Sequence, residues 1–153
     1  MLQRLQTIYI IIVLGLLFGF LYMPIAEFSY ANTQVYVLKL DNSFLLKNIP
    51  IVNTTFMISQ VMVWMLITIN VVAIFLYKNR KTQMNLCILT AVLLVLLNLM
   101  GLFLINKIKL EESYLVYYKI ASIFPLIGAI LSYLAFRGIK KDDQLVKSYD
   151  RLR

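Results

Sequence analysis

The sequence lacks most of the residues on which enzyme active sites and metal centres depend. It contains no histidine and a single cysteine, Cys87. Histidine acid–base chemistry and histidine metal ligation are therefore excluded, as are an intrachain disulfide and a paired-cysteine metal site. The carboxylates have no recognisable catalytic partner. We accordingly expect a protein that is not an enzyme and that holds no cofactor and no metal.

Charge is also missing where a transporter would need it. No Asp, Glu, Lys or Arg falls in the middle of any long apolar run. Proton- and ion-coupled transporters generally mark their path with ionisable residues inside the membrane. The sequence therefore argues against a small multidrug exporter and against a proton relay.

What the chain does contain is apolar residues. Its hydrophobic fraction of 61% and mean hydropathy of +0.82 exceed the values of soluble domains. The length of 153 residues predicts one membrane domain over 1–153. In so apolar a chain, the net charge of +8 indicates loops that face anionic lipid rather than nucleic acid.

Four long apolar runs predict four transmembrane helices, because about 20 apolar residues span a bilayer. The predicted spans are 5–26, 56–77, 82–106 and 117–136. The fourth run is short, and it reaches full length if Tyr117 and Tyr118 sit at the interface while Lys119 snorkels outward. The expected fold is an all-α, antiparallel four-transmembrane-helix bundle whose partner is the lipid bilayer.

The first apolar run has an alternative interpretation. The start of the chain resembles a signal peptide with a small-residue cleavage site. It consists of MLQRLQ, the apolar run and then Ser29 to Ala31. The run is long for a signal peptide, however, and Glu27 lies inside the supposed cleavage region. An uncleaved membrane anchor is therefore favoured.

The distribution of basic residues predicts the orientation in the membrane. With both termini in the cytoplasm, ten of the 15 Lys and Arg residues lie on that side. The tight turn Lys78 to Lys81 is the clearest signal, since short basic loops stay cytoplasmic. The predicted topology anchors are Lys78, Arg80, Lys81, Arg137, Lys140 and Lys141.

The outer loop 27–55 is the one long connection. Its stretch Val35 to Leu40 is rich in β-branched and aromatic residues and predicts a short strand, half of a hairpin lying over the bundle. An ordered cap on the helix ends is favoured over a docking edge for a partner strand.

Small residues predict close helix packing in two places. Gly15 and Gly19 have the GxxxG spacing, and packing inside the bundle is favoured over a homodimer. The fourth span carries a stripe of small residues that includes Gly128 and Ser132. Pro125 is expected to kink the same span and to free a backbone carbonyl, which a Ser or Thr hydroxyl would then bond.

Polar residues inside the spans are expected to face inward and to bond across helices. Those of the second and third spans are Gln60, Thr68, Asn70, Thr90 and Asn98. Structural bonding between helices is favoured over a polar pocket. The pocket interpretation keeps an alternative function open, in which Gln60, Asn70 and Asn98 form a lipid or hydrophobic small-molecule binding or transport module that also uses the kink at Pro125.

The charged ending, 137–153, divides into two parts. Arg137 to Lys141 is explained as an orientation anchor. From Asp142 to Arg153 the spacing predicts a separate amphipathic cytoplasmic helix. Its mixed charge favours a protein partner over lipid, which points to an accessory or scaffold subunit of a larger membrane complex. The candidate partner-binding residues are Leu145, Tyr149, Asp150, Arg151 and Arg153.

Three stretches carry a family resemblance: MLQRLQTIY at the start, YKNRKTQMNLC in the middle and FRGIKKDDQLVKSYDRLR at the end. The sequence resembles the bacterial membrane family called domain of unknown function 4293. This resemblance implies a small four-span protein of the inner membrane of Gram-negative bacteria. It implies no activity, and no catalytic or binding residue comes from it.

Overall fold

The computed structural model describes residues 3–30, 34–40, 50–76, 79–112 and 115–151. Within these ranges the chain forms four long helices: α1 (Gln3–Tyr22), α2 (Pro50–Phe75), α3 (Arg80–Glu112) and α4 (Phe124–Arg151). It also forms three short strands: β1 (Ala26–Tyr30), β2 (Gln34–Leu38) and β3 (Leu115–Tyr118). A 3-10 turn, Ile120–Ile123, leads into α4.

The helices pack in the order α1, α2, α3, α4, and α4 closes back on α1. One hydrophobic cluster joins all four helices near the start of α1 and the end of α4, and it contains Ile10, Ala73, Cys87, Ala135 and Ile139. We call this the terminal end of the bundle. The strands cover the opposite end, which we call the sheet end. Consecutive helices therefore run in opposite directions, as the predicted antiparallel bundle requires.

The outward faces of the helices are strongly apolar. Large side chains such as Val61, Phe75 and Phe103 are more than half exposed. Three stretches are long and apolar enough to cross a membrane: Thr55–Phe75, Arg80–Lys109 and Ile120–Val146. A shorter apolar stretch, Gln6–Tyr22, lies in α1. Soluble proteins rarely expose such large apolar patches, and this surface is compatible with a membrane protein.

The strands form one antiparallel sheet in the order β2-β1-β3. Phe28 in the central strand is opposite Tyr36 on one side and Val116 on the other. Its side chain is fully buried, as is that of Ala26 two residues earlier, because alternate residues of a strand point to one face. The predicted strand within 35–40 is thus confirmed, and its sheet caps the helix ends.

The third strand corrects the predicted start of the fourth span. Tyr117 and Tyr118 lie in β3 and do not extend a helix. The backbone N–H of Lys119 donates to the carbonyl of Ile25 at 3.0 Å, and its ammonium forms an ion pair with Glu27 at 2.9 Å. Lys119 therefore pairs within the protein and does not snorkel, because Ile25, just before β1, and Glu27 of β1 offer these partners.

Pro125 does not kink the fourth span, contrary to the prediction. It is the second residue of α4, where a missing backbone N–H removes no helical hydrogen bond. The carbonyl of Ala121, four residues earlier, accepts instead from the N–H of Phe124. No Ser or Thr hydroxyl is needed there.

The predicted separate helix over 142–153 is also wrong. α4 continues without interruption through Arg137 and Asp142 to Arg151. Its 28 residues correspond to about 42 Å at 1.5 Å per residue, longer than a hydrocarbon core of about 30 Å. The Lys and Arg residues here have good helix propensity and no proline follows Pro125, so nothing ends the helix at residue 136.

Candidate functional site at the terminal end

The end of α4 is fixed to the start of α1 by a polar contact. The Gln6 side-chain amide of α1 donates a hydrogen bond to the Asp142 carboxylate of α4. Gly138, one turn before Asp142, allows this approach, because a Cβ atom there would stand 3.1 Å from Cγ of Gln6. Gln6 is itself buried. The contact therefore positions the part of α4 that follows Ile139.

A second buried amide joins α2 to α3 at the same end. Nε2 of Gln83 donates to the carbonyl of Ala73 at 3.0 Å, and the Gln83 backbone N–H donates to the carbonyl of Asn79 at 3.0 Å. These bonds hold the turn between the two helices. Neither Gln6 nor Gln83 stood out in the sequence, because a glutamine at the edge of an apolar run is indistinguishable from a solvated helix end.

Residues 137–151 of α4, which we call the arm, carry several exposed basic side chains. Arg137, Lys140 and Lys141 are exposed, and the Lys140 ammonium lies 6.0 Å from the centre of the Phe136 ring. Of the other predicted anchors, Lys81 is exposed and Arg80 is half-buried at the same end. Lys78 lies outside the described residues. Five of the six predicted anchors thus lie at the terminal end.

The arm also presents apolar surface next to its charges. Leu145 and Val146 are each 43% exposed. Of the other predicted partner-binding residues, Tyr149, Asp150 and Arg151 lie on α4, and nothing is described of their side chains, while Arg153 lies outside the described residues. The structure therefore places four of the five on one continuous helix.

The three predicted intramembrane amides do not form one site. Asn70 is buried, but its Nδ2 bonds the carbonyl of Leu66 in its own helix at 2.8 Å. Half-buried Gln60 lies ten residues earlier on α2, about 15 Å along the axis. Asn98 alone bonds across elements, since its Nδ2 donates to the carbonyl of Ser122 at 2.9 Å.

The two threonines likewise bond within their own helices. Thr68 is exposed, and its hydroxyl reaches the carbonyls of Trp64 and Met65 at 3.2 and 2.7 Å. Thr90 is buried and bonds the carbonyl of Cys87 at 2.9 Å. The expected bonding across helices is thus wrong for Thr68, Asn70 and Thr90, because a helical hydroxyl or amide reaches a carbonyl of its own preceding turn.

The predicted packing residues behave differently from one another. Gly128 packs against Leu94 of α3, whose Cδ1 atom lies 3.3 Å from the position that a Cβ atom on Gly128 would take. Gly19 packs against the ring of Phe124. Ser132 is buried, and its hydroxyl has no hydrogen-bond partner among the described residues. Gly15, in contrast, is exposed with nothing within 4 Å of its Cβ position. Only one glycine of the GxxxG pair therefore packs inside the bundle.

The terminal end combines exposed basic side chains with exposed apolar ones. Among the described residues, no group of three or more His, Cys, Asp or Glu could hold a metal ion. Cys87, the only thiol, is buried among the four helices. What the geometry provides is a continuous helix that carries mixed charge and some apolar surface after Ile139.

Comparison with known protein families gives a match over nearly the whole chain. The family model described as Domain of unknown function (DUF4293) matches residues 2–152, nearly the whole chain. A search of curated proteins finds no match.

Proposed function

This chain belongs to the family Domain of unknown function (DUF4293), and from that premise we propose that it is a non-catalytic accessory or scaffold subunit of a larger membrane assembly. It crosses the bacterial inner membrane four times, with both termini in the cytoplasm. The arm of α4 contacts a partner membrane protein. The family description brings no activity, so the proposal rests on the fold.

The continuity of the arm with the rest of α4 is the observation that carries this proposal. Arg137 to Arg151 continues the membrane helix, so the arm extends about 22 Å as a single element. The Gln6–Asp142 hydrogen bond and the close approach at Gly138 fix its direction. A segment that served only to orient the protein in the membrane would need neither this hydrogen bond nor this close approach. A fixed arm loses little conformational entropy when it binds, which favours a specific protein contact.

The packing of α1 on α4 supports a fourth span. α1 meets α4 at Gly19–Phe124 near the sheet end and at Gln6–Asp142 at the terminal end. It therefore runs beside α4 for most of the apolar length of that helix. If α4 crosses the bilayer, α1 crosses with it, although its own apolar stretch is short.

The charge distribution supports the orientation. The exposed basic residues of the arm and of the α3 start lie at the terminal end, beside the short α2–α3 connection. Short basic connections stay in the cytoplasm.

Membrane topology is tested with cysteine labelling. The native Cys87 is buried and gives little background. Tyr117→Cys at the sheet end should react with a membrane-impermeant maleimide in intact spheroplasts, while Gln144→Cys in the arm should react only after permeabilisation. Both positions are exposed. Equal labelling of the two before permeabilisation contradicts the orientation.

The partner contact is tested by comparing arm variants in affinity capture. Tagged full-length protein is extracted gently, and stoichiometric partners are quantified by mass spectrometry. The combined change Asp150→Lys and Arg151→Glu keeps the net charge and the helix, and it should reduce partner recovery at least about tenfold, a loss of some 1.4 kcal/mol. Lys107→Gln with Lys109→Gln at the opposite end is the control and should retain the partner. Recovery of the bare wild-type protein alone overturns the scaffold proposal.

A further inference from the structure

One face of α4 changes from apolar to basic within a single turn. Ile130, Tyr133 and Leu134 are exposed on this face. Arg137 and Lys141 are exposed too, and they follow at steps of three or four residues, the spacing of neighbours on one side of a helix. We call the side of α4 formed by these five residues the α4 face. It brings exposed apolar surface directly against exposed positive charge.

The position of this change matches the thickness of a bilayer. No charged residue falls within 120–136, between Lys119 and Arg137. The 3-10 turn and the part of α4 over 124–136 together span about 28 Å, close to a hydrocarbon core of about 30 Å. If α4 crosses a bilayer, Lys119 and Arg137 therefore lie near its two boundaries, where the phosphate groups of lipids begin.

The positive charge of the α4 face has no counter-ion in the protein. Neither Arg137 nor Lys141 forms an ion pair within the part of the chain that the structure describes. Asp142 is half-buried and accepts from Gln6 of α1, so it faces the bundle. Asp143 is half-buried as well, and at 100° per residue it lies about 200° around the helix from Lys141. The two cations are thus available to an anion from outside the protein.

Lys140 adds a third cation beside this face. Its ammonium lies 6.0 Å from the centre of the Phe136 ring, so the side chain turns back along α4 towards the apolar residues. The Phe136 ring in turn lies 6.2 Å from that of Tyr133, measured between ring centres. Aromatic side chains are enriched at the level of lipid headgroups. The third charge is therefore held close to the boundary between apolar and basic surface.

The chemistry of these side chains selects a phosphate group with a net negative charge. A guanidinium binds phosphate oxygens through two parallel hydrogen bonds, and a lysine ammonium binds them as a point charge. Arg137 and Lys141 are four residues apart, with about 6 Å between their Cβ atoms, so both can contact one phosphate. A zwitterionic headgroup also carries an ammonium, which the three cations repel.

We propose that the α4 face binds an anionic phospholipid, with the phosphate between Arg137 and Lys141 and an acyl chain along Ile130 and Leu134. The inference rests on the membrane insertion proposed above, but not on a protein partner of the arm. The basic residues at the end of α3 form no equivalent site. Lys107 is half-buried, and Lys109 lies two residues later on a different side of the helix.

Lipid selectivity is tested by native mass spectrometry of the full-length protein in detergent. Phosphatidylglycerol and phosphatidylethanolamine with identical acyl chains are added in equal amounts. The wild type should retain at least about fivefold more phosphatidylglycerol, the factor expected for one basic charge near an anionic lipid. Equal retention of the two lipids overturns the proposal.

Two double variants with the same change in charge locate the site. Arg137→Gln with Lys141→Gln should reduce bound phosphatidylglycerol at least about tenfold and leave bound phosphatidylethanolamine unchanged. Lys107→Gln with Lys109→Gln should retain phosphatidylglycerol. Equal loss in both variants, or retention in both, contradicts the assignment. Melting temperatures show whether the variants remain folded.

Crosslinking maps the site on the wild type, whatever the variants do. Phosphatidylglycerol with a diazirine in its headgroup, incorporated into nanodiscs of phosphatidylethanolamine, should crosslink to residues 133–141. Labelling spread evenly over the terminal end, with Lys81 labelled as strongly, overturns the proposal. The variant Asp150→Lys with Arg151→Glu should retain phosphatidylglycerol even where it loses the protein partner, so failure of either proposal is seen separately.

Discussion

The ring of Phe124 occupies the space beside Gly19. Its Cε2 atom lies 2.8 Å from the position that a Cβ atom on Gly19 would take. This contact joins α1 to the first residue of α4 and sets how closely the two helices approach at the sheet end. It also explains why α1 carries a glycine here, since any side chain would displace the ring.

Gly19→Leu should destabilise the protein by about 1–3 kcal/mol, the range for overpacking a filled core. The measurement is unfolding of the purified protein by titration with a denaturing detergent. Gly15→Leu should leave the free energy of unfolding nearly unchanged, because its Cβ position is open. Gly19→Leu combined with Phe124→Ala should recover part of the loss. Equal destabilisation by the two glycine variants contradicts the packing described.

Gln6→Leu should loosen the arm without unfolding the bundle. It removes the amide that donates to Asp142 and leaves a half-buried carboxylate without that bond. A hydrogen bond to a charged group is worth about 1.5–3 kcal/mol, so amide hydrogen exchange over residues 143–151 should be at least about tenfold faster. Exchange in α2 should not change. The control is Gln144→Leu, an exposed position on the same helix; similar acceleration by both variants shows that Gln6 does not hold the arm.

Ser132→Ala should be neutral or stabilising, by up to about 1 kcal/mol, because a buried hydroxyl without a partner carries an uncompensated cost. Ser59→Ala is the matched control. Both serines are 3% exposed, but the Ser59 hydroxyl has a partner in the carbonyl of Thr55. In thermal unfolding, the melting temperature of Ser132→Ala should be higher than that of Ser59→Ala. The reverse order means that the Ser132 hydroxyl finds a partner.

Lys119→Gln should cost little stability, about 0–1 kcal/mol. The side chains of Lys119 and Glu27 are 41% and 28% exposed, and exposed ion pairs are screened by water and salt. The charge exchange Glu27→Lys with Lys119→Glu should restore the wild-type melting temperature at low salt. The difference in melting temperature between Lys119→Gln and wild type should shrink at 1 M salt. A loss above about 3 kcal/mol, insensitive to salt, would assign the pair a buried structural role.

The helices could be predicted from the sequence because each is dominated by one long apolar run. The strand within 35–40 was also predictable from its β-branched and aromatic residues. The third strand was not, since Leu115 to Tyr118 is as apolar as the helix that follows it. What makes it a strand is the free edge of β1, a partner almost 90 residues earlier in the chain.

The candidate site was predictable only in part. The sequence indicated a charged helical ending but not that α4 runs into it unbroken, because a change of composition does not end a helix. The contact of Gln6 with Asp142 depends on how far α1 and α4 are shifted along each other. A local sequence pattern does not predict that shift. Gly15 and Gly19 show the same limit of sequence-based prediction. They share one GxxxG motif, yet the Cβ position of Gly15 is open whereas that of Gly19 is filled by Phe124.

The central position of β1 has a consequence for biogenesis. Its neighbours come from both sides of the α2–α3 hairpin, so the sheet is complete only after residue 118 has been synthesised. Until then, one edge of β1 exposes unpaired N–H and C=O groups. A nascent chain that stops before β3 therefore carries an open strand edge with which a chaperone or a second nascent chain can pair, and the pairing of β3 with β1 closes that edge.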